Sequence, residues 1–141
     1  MKYEITFEEK PSREDVKILD NGIRQHANAI FGSHSFTDAA FFLRDETGTI
    51  VGGVSGNYNS FGWLYIDALW VSEKLRGLGY GSQLMDVIER EALRHGCTKA
   101  YLNTMSYQAP EFYKKRGYFV FAELEDFPEP HSRIFLRRTL A

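Results

Sequence analysis

Residues 2–8 alternate charged or polar positions with Tyr3, Ile5 and Phe7, a period of two that predicts a strand with one covered face. Pro11 and Ser12 break the pattern. From there to about residue 31 the spacing turns helical, with Ser12 or Arg13 near the cap and Val16, Ile18 and Ile23 recurring among charged neighbours. Residues 32–37 read as a loop. The apolar runs 39–44 and 49–56 flank Asp45, Glu46, Thr47 and Gly48, a turn composition that predicts an antiparallel hairpin, and 57–62 reads as the next turn. The run 63–71 is the most apolar in the chain and predicts a buried central strand. Its one charged residue, Asp67, calls for an explanation.

A helical period returns over 79–95, where Leu84, Met85, Ile88 and Ala92 share one face while Gln83, Asp86, Arg90 and Arg94 share another; Gly96 supplies the stop. A short strand over 99–103 follows, then a short helix over 109–116 with Pro110 in its first turn and Gly117 behind it. Strands over 118–123 and 133–139 close the chain, joined by an acidic loop over 124–131 that holds Glu125, Asp126 and Glu129 beside the strand-end Glu123. The order is strand, helix, meander, helix, strand, helix, hairpin, an α/β arrangement.

Composition narrows the picture. At 141 residues and 16.3 kDa the chain fits one domain over 1–141, and no repeat or linker divides it. A net charge of -2 gives no basic excess, so nucleic acid is not an expected partner. Cys97 is the only cysteine, which excludes an intramolecular disulfide and fits a reducing cytosol. No apolar run approaches the ~20 residues of a membrane span, so a cytoplasmic protein without a membrane partner is expected. His26, His34, His95 and His131 lie far apart without ligand spacing, and no metal is expected.

The chemistry concentrates between the central strand and the long helix, at Arg76, Gly77, Leu78, Gly79, Tyr80 and Gly81, followed by Ser82. Glycines at alternating positions bare the main chain where a strand turns into a helix. The first amides of that helix lack intrahelical partners and its dipole puts partial positive charge there, so a phosphate or pyrophosphate fits; a merely tight turn is the plainer alternative. Ser82 and Gln83 follow Gly81 where a Walker loop requires Lys and then Ser or Thr, and Ser82 occupies the place of the last glycine of a dinucleotide fingerprint.

The run from Arg76 to Gly81, after Leu69, Trp70 and Val71, resembles the R/Q-x-x-G-x-G/A signature of the GNAT acyl-coenzyme A N-acyltransferases. Ala109 to Tyr118, with Tyr113 and Gly117, resembles that family's A-x-x-h-Y-x-x-x-G-F/Y segment, where h is apolar. The resemblance implies a central mixed, mostly antiparallel sheet of about seven strands with flanking helices, splayed between the fourth and fifth strands. It further implies that acetyl-coenzyme A lies in the splay, its pyrophosphate held by amides from Gly77 to Ser82. A bulge would free the backbone near Leu69, Trp70 and Val71 for the pantetheine arm and the thioester oxygen, and Trp70 itself reads as a packing residue. Asn103 matches a position that contacts the cosubstrate amide, with a strand-end cap as its alternative. Seven residues before Tyr113, where many relatives carry Asn, stands Ser106.

Acyl transfer to an amine needs a neutral nucleophile, and an alkylamine of pKa near 10.4 is mostly protonated at neutral pH. Asp67 is the candidate base, because burial in an apolar strand raises a carboxylate pKa; a structural acid bonded to backbone amides is its alternative. Tyr113 is the candidate acid for the departing thiolate, with core packing as its alternative. Cys97 reads as an ordinary buried residue, so direct attack is expected rather than an acylated enzyme. The expected function is acetyl-coenzyme A-dependent N-acetylation of a small-molecule amine. A protein lysine or N-terminal acetyltransferase and a non-catalytic coenzyme A-binding module remain the alternatives. The cluster from Glu123 to Glu129 reads as either an attraction for a cationic acceptor or a solvated loop. Dimers are common in the resembled family, which makes a homodimer an expectation that no interface stripe in the sequence reinforces.

Overall fold

In the computed structural model, which describes residues 1–141, the chain divides into two units, Met1–His34 and Ser35–Ala141. The first unit is built on α1 (Arg13–Phe31). Ser12 opens this helix, its Oγ accepting the Asp15 N–H at 3.2 Å, with Glu14 and Asp15 placing negative charge at the positive end of the dipole. Gly32 closes it at φ 78, donating its N–H to the Asn28 carbonyl at 2.8 Å. The strand expected over 2–8 does not form. Alternation defines a face but supplies no partner for backbone groups.

The second unit carries one six-stranded sheet, so the expected count of about seven is one too many. Its strands are β1 (Phe36–Arg44), β2 (Ile50–Asn59), β3 (Trp63–Val71), β4 (Lys99–Met105), β5 (Phe119–Leu124) and β6 (Arg133–Thr139), in the spatial order β1-β2-β3-β4-β6-β5. Phe36 and Thr37, expected in a loop, already belong to β1. Only β3 and β4 run parallel, and the crossover this demands is provided by α2 (Tyr80–Arg94). Those two strands pair for four residues, from Trp63 opposite Lys99 to Ile66 opposite Leu102, and then part. This is the anticipated splay, now between the third and fourth strands.

Leu84, Met85, Ile88 and Ala92 of α2 are all buried, as their spacing predicts. They belong to one core with Val54, Leu64, Ile66, Ala100, Leu102 and Leu136, which come from four different strands. Each large aliphatic side chain so buried stabilises the fold by about 1.5–3 kcal/mol. That core fixes α2 against the sheet and thereby fixes the turn that precedes it. A shorter helix, α3 (Pro110–Lys115), begins with Pro110 in its first turn and follows β4. Gln108 anchors the approach, its Oε1 accepting from the Met105 N–H at 2.9 Å and the Thr104 hydroxyl at 3.1 Å.

Candidate active site at the splay

The geometry of the site starts from an irregularity in β3. Ser55 pairs with Ala68 while the next residue, Gly56, pairs with Ile66, so Asp67 is the extra residue of a bulge. Gly56 makes the bulge feasible: a Cβ there would lie 2.0 Å from the Tyr65 carbonyl oxygen. The bulge falls just before the Leu69, Trp70 and Val71 segment where it was expected. It also overturns the premise for Asp67, which is exposed rather than buried because the extra residue steps out of the strand's alternation. The argument for Asp67 as a base therefore rests on where it stands, on the cavity wall.

Beyond the bulge Leu69, Trp70 and Val71 keep their register with Val54, Gly53 and Gly52, while on the other side β4 has moved away. The margin of β3 facing the splay is therefore free of ladder partners. Leu69 and Val71 pack partly against the core, whereas Trp70 is 53% exposed and faces the cavity rather than filling the interior, contrary to its reading as a packing residue. Arg76 closes the strand end by donating from Nε to the Val71 carbonyl at 3.0 Å.

The turn into α2 differs in kind from the start of α1. Its N-cap is Gly79, which makes no side-chain cap bond, and the first turn holds no acidic residue. The amides of Tyr80, Gly81 and Ser82 therefore lie at the positive end of a 15-residue helix with no side-chain acceptor supplied by the chain. Gly79 adopts φ 90 and Gly77 φ 78, a left-handed backbone that ordinary residues enter at a cost, and a Cβ at either would meet no atom within 4 Å. Open space on that side is what an anion held by main-chain amides requires.

A cavity of about 940 Å³ joins these parts. It is lined by Asp67, Leu69, Trp70, Val71, Arg76, Gly77, Gly79, Tyr80, Gly81, Ser82, Asn103 and Tyr113, so the splay and the glycine turn open into one space; of the residues expected to bind the cosubstrate or to move protons, only Leu78 stands outside it. Asn103 donates from Nδ2 to the Tyr65 hydroxyl at 3.2 Å, a bond across the splay rather than a strand-end cap. Ser106 is engaged elsewhere: its Oγ accepts the Ser132 N–H at 3.0 Å and its own N–H donates to the Ser132 carbonyl at 2.8 Å. Glu123 is likewise committed, accepting from the Ser132 hydroxyl at 2.6 Å.

Tyr113 projects from α3 at 8% exposure, its ring edge-on to Phe112 and Tyr118. Burial raises the pKa of its phenol, which keeps it protonated at neutral pH. Tyr113 lines the cavity, and its hydroxyl makes no hydrogen bond to another protein group. Sequence reasoning missed the groups behind it. Glu89 is buried on α2, accepting from the Tyr118 hydroxyl at 2.6 Å and from Arg116 Nη2 at 2.7 Å. Its signal was present, since residue 89 lies one turn beyond Met85 on the apolar face.

Comparison with known proteins agrees with this arrangement. The profile of the acetyltransferase (GNAT) family matches residues 3–118. The chain is 38% identical over 90 residues to a blasticidin-S acetyltransferase of Streptomyces morookaense and 34% identical over 90 residues to an acetyltransferase of Agrobacterium fabrum. These alignments cover 63% and 64% of this chain, and 65% of the length of either relative. The crystal structure of an acetyltransferase from Bacillus cereus superposes with a TM-score of 0.85 at 36% identity, covering 95% of this chain and 97% of that one. A parallel strand pair that parts after four residues, with an uncapped helix start beside it, is thus accompanied by a family match over most of the sequence, and the chain belongs to the GNAT acetyltransferase family.

Proposed function

We propose that the protein is an N-acetyltransferase that moves an acetyl group from acetyl-coenzyme A to a primary amine of a small molecule. The observation that carries this reading is the uncapped, glycine-lined start of α2 opening into the same cavity that Tyr113 lines. When bound, acetyl-coenzyme A supplies an activated thioester. The amides from Gly77 to Ser82 hold its pyrophosphate, and the unpaired margin of β3 at Leu69, Trp70 and Val71 receives the pantetheine arm and the thioester oxygen, steadying the charge that develops there. Asn103, on the facing strand, offers an amide for the same arm. The residues present fit the group, because main-chain donors are left without acceptors where an anion is required and space is open where side chains are missing.

Asp67, exposed beside the splay, attracts the acceptor ammonium and takes its proton through water. Tyr113, which lines the same cavity, would donate to the departing sulfur. A phenol with a raised pKa gives up its proton fully only if that proton is replaced, and the acceptor nitrogen, acidified on acylation, is the nearby source. Cys97 is buried in the core, away from the cavity lining, so attack is direct. A small-molecule acceptor is favoured by the likeness to a protein named for blasticidin-S acetylation.

Thiol release from acetyl-coenzyme A across polyamines, aminoglycosides, nucleoside antibiotics and lysine peptides tests the reading. Turnover with a small amine is expected. Turnover confined to peptides would transfer the activity to protein acceptors, and tight coenzyme A binding without any turnover would make the domain a binding module.

A further inference from the structure

Glu89 is the one carboxylate in the core, 8% exposed on the apolar face of α2, and both of its oxygens are engaged. The Tyr118 hydroxyl donates to Oε2 at 2.6 Å, and Arg116 Nη2 donates to Oε1 at 2.7 Å while also reaching Asp86 Oδ1 at 2.8 Å. Arg116 Nη1 extends to the Ser82 carbonyl at 3.4 Å, in the first turn of α2. The carbonyl of Arg116 in turn accepts from Arg138 Nη1. These bonds converge on the residue that α3 presents to the cavity. The Tyr113 carbonyl accepts the N–H groups of both Arg116 and Tyr118 at 3.0 Å, and the Tyr113 ring meets the Tyr118 ring edge-on with centroids 6.0 Å apart. Phe112 completes the link from the other side, since a Cβ on Gly81 would touch its Cζ at 3.5 Å.

Stability alone does not account for such a group. A buried ion pair is commonly no more stabilising than apolar residues of equal volume, whereas breaking one leaves an uncompensated charge. What the arrangement supplies is a fixed distance. With one oxygen on each partner, Glu89 ties the end of α3 to the helix whose first turn faces the proposed pyrophosphate site.

We propose that Glu89, Arg116 and Tyr118 form a positioning network that sets the Tyr113 hydroxyl against the glycine turn across the cavity. This rests on Tyr113 being the proton donor of the proposed reaction, but the placement of its ring can be read without turnover. The experiment uses full-length protein labelled with 13Cζ-tyrosine, the Tyr113 signal being assigned with Tyr113→Phe. Tyr118→Phe removes a single oxygen and is the primary variant; Glu89→Gln is the second, should its fold survive. The expected result in Tyr118→Phe is a shifted and broadened Tyr113 resonance and a kcat lowered roughly tenfold or more, as slight misplacement of a reacting group produces. KM for acetyl-coenzyme A should change less than about twofold, and adding Tyr118→Phe to Tyr113→Phe should cost no further rate, because the two act through one group. An unmoved Tyr113 resonance, or a rate loss that multiplies in the double variant, overturns the proposal. If Tyr113→Phe alone keeps the wild-type rate, the proton-donor reading falls by itself, and the resonance then decides whether the network positions the ring.

Discussion

At the scale of single residues, the site depends on what is absent as much as on what is present. Gly56 has no Cβ because the Tyr65 carbonyl lies where one would go, and the bulge at Asp67 follows from that close approach. Gly56→Ala should therefore destabilise the protein by about 1–3 kcal/mol, the usual cost of forcing atoms into a filled place. Urea denaturation measures it, and an unchanged midpoint would show that the bulge does not need the glycine. Tyr113→Phe removes a hydroxyl without altering packing, so it should lower kcat by roughly 10²-fold while leaving coenzyme A affinity almost intact. Single-turnover kinetics beside calorimetry separates the two effects. Asp67→Asn should raise the acceptor KM and lower kcat; acceptor kinetics identical to wild type would remove Asp67 from the proton path. That Tyr113 would stand at the cavity was legible through the resemblance of residues 109–118 to the family's segment. The setting of Asp67 was not, since a bulge is a misfit between two strands and one strand read alone shows only an acid in an apolar run.

Between elements, the contrast in helix starts explains where a ligand can go. The start of α1 is capped by Ser12 and carries its own acids, whereas α2 begins on Gly79 with neither. Gly79→Val should strain the left-handed turn yet meet no protein atom, so coenzyme A affinity should fall at least tenfold while the thermal midpoint moves only a few degrees. Calorimetric titration beside a melting curve distinguishes this from simple unfolding. Elements whose cause is local were readable in advance: the apolar face of α2, the Asp45 turn and Pro110 at the head of α3 all emerged as their residues predict. Asp45 illustrates how local such a cause can be, its carboxylate accepting from the Thr47 hydroxyl at 2.7 Å and from the Thr47 and Thr49 amides, which together hold its pKa below the ordinary value. Residue patterns alone did not show contacts between distant segments, and the splay and the bulge were expected only through the family resemblance. The 2–8 alternation forms no strand, and the Glu89 network joins residues 86, 89, 116 and 118 only after folding.

For the molecule as a whole, buried hydroxyl and thiol groups set the response to alkali. Burial raises the pKa values of Cys97, Tyr101, Tyr113 and Tyr118, and for Tyr118 the Glu89 carboxylate adds to the effect. An unfolded chain releases these protons at about pH 8.5–10, while the folded chain retains them to higher pH. The unfolded state then binds fewer protons, so stability is fully present below about pH 8 and declines as the pH climbs through 9 and 10. Melting temperatures measured from pH 7 to pH 10.5 should fall along that limb, and Tyr118→Phe should flatten it. At neutral pH the net charge of -2 leaves little long-range field.

The short pairing of β3 with β4 has one more consequence. A sheet normally shields its amide protons from deuterium, but past Ile66 and Leu102 these two strands no longer protect each other. Their facing amides should trade with heavy water early in a labelling time course, ahead of the doubly flanked stretch just before. Filling the wedge with coenzyme A should slow that trade selectively, turning a gap in the sheet into a built-in gauge of occupancy that needs no acceptor and no chemistry.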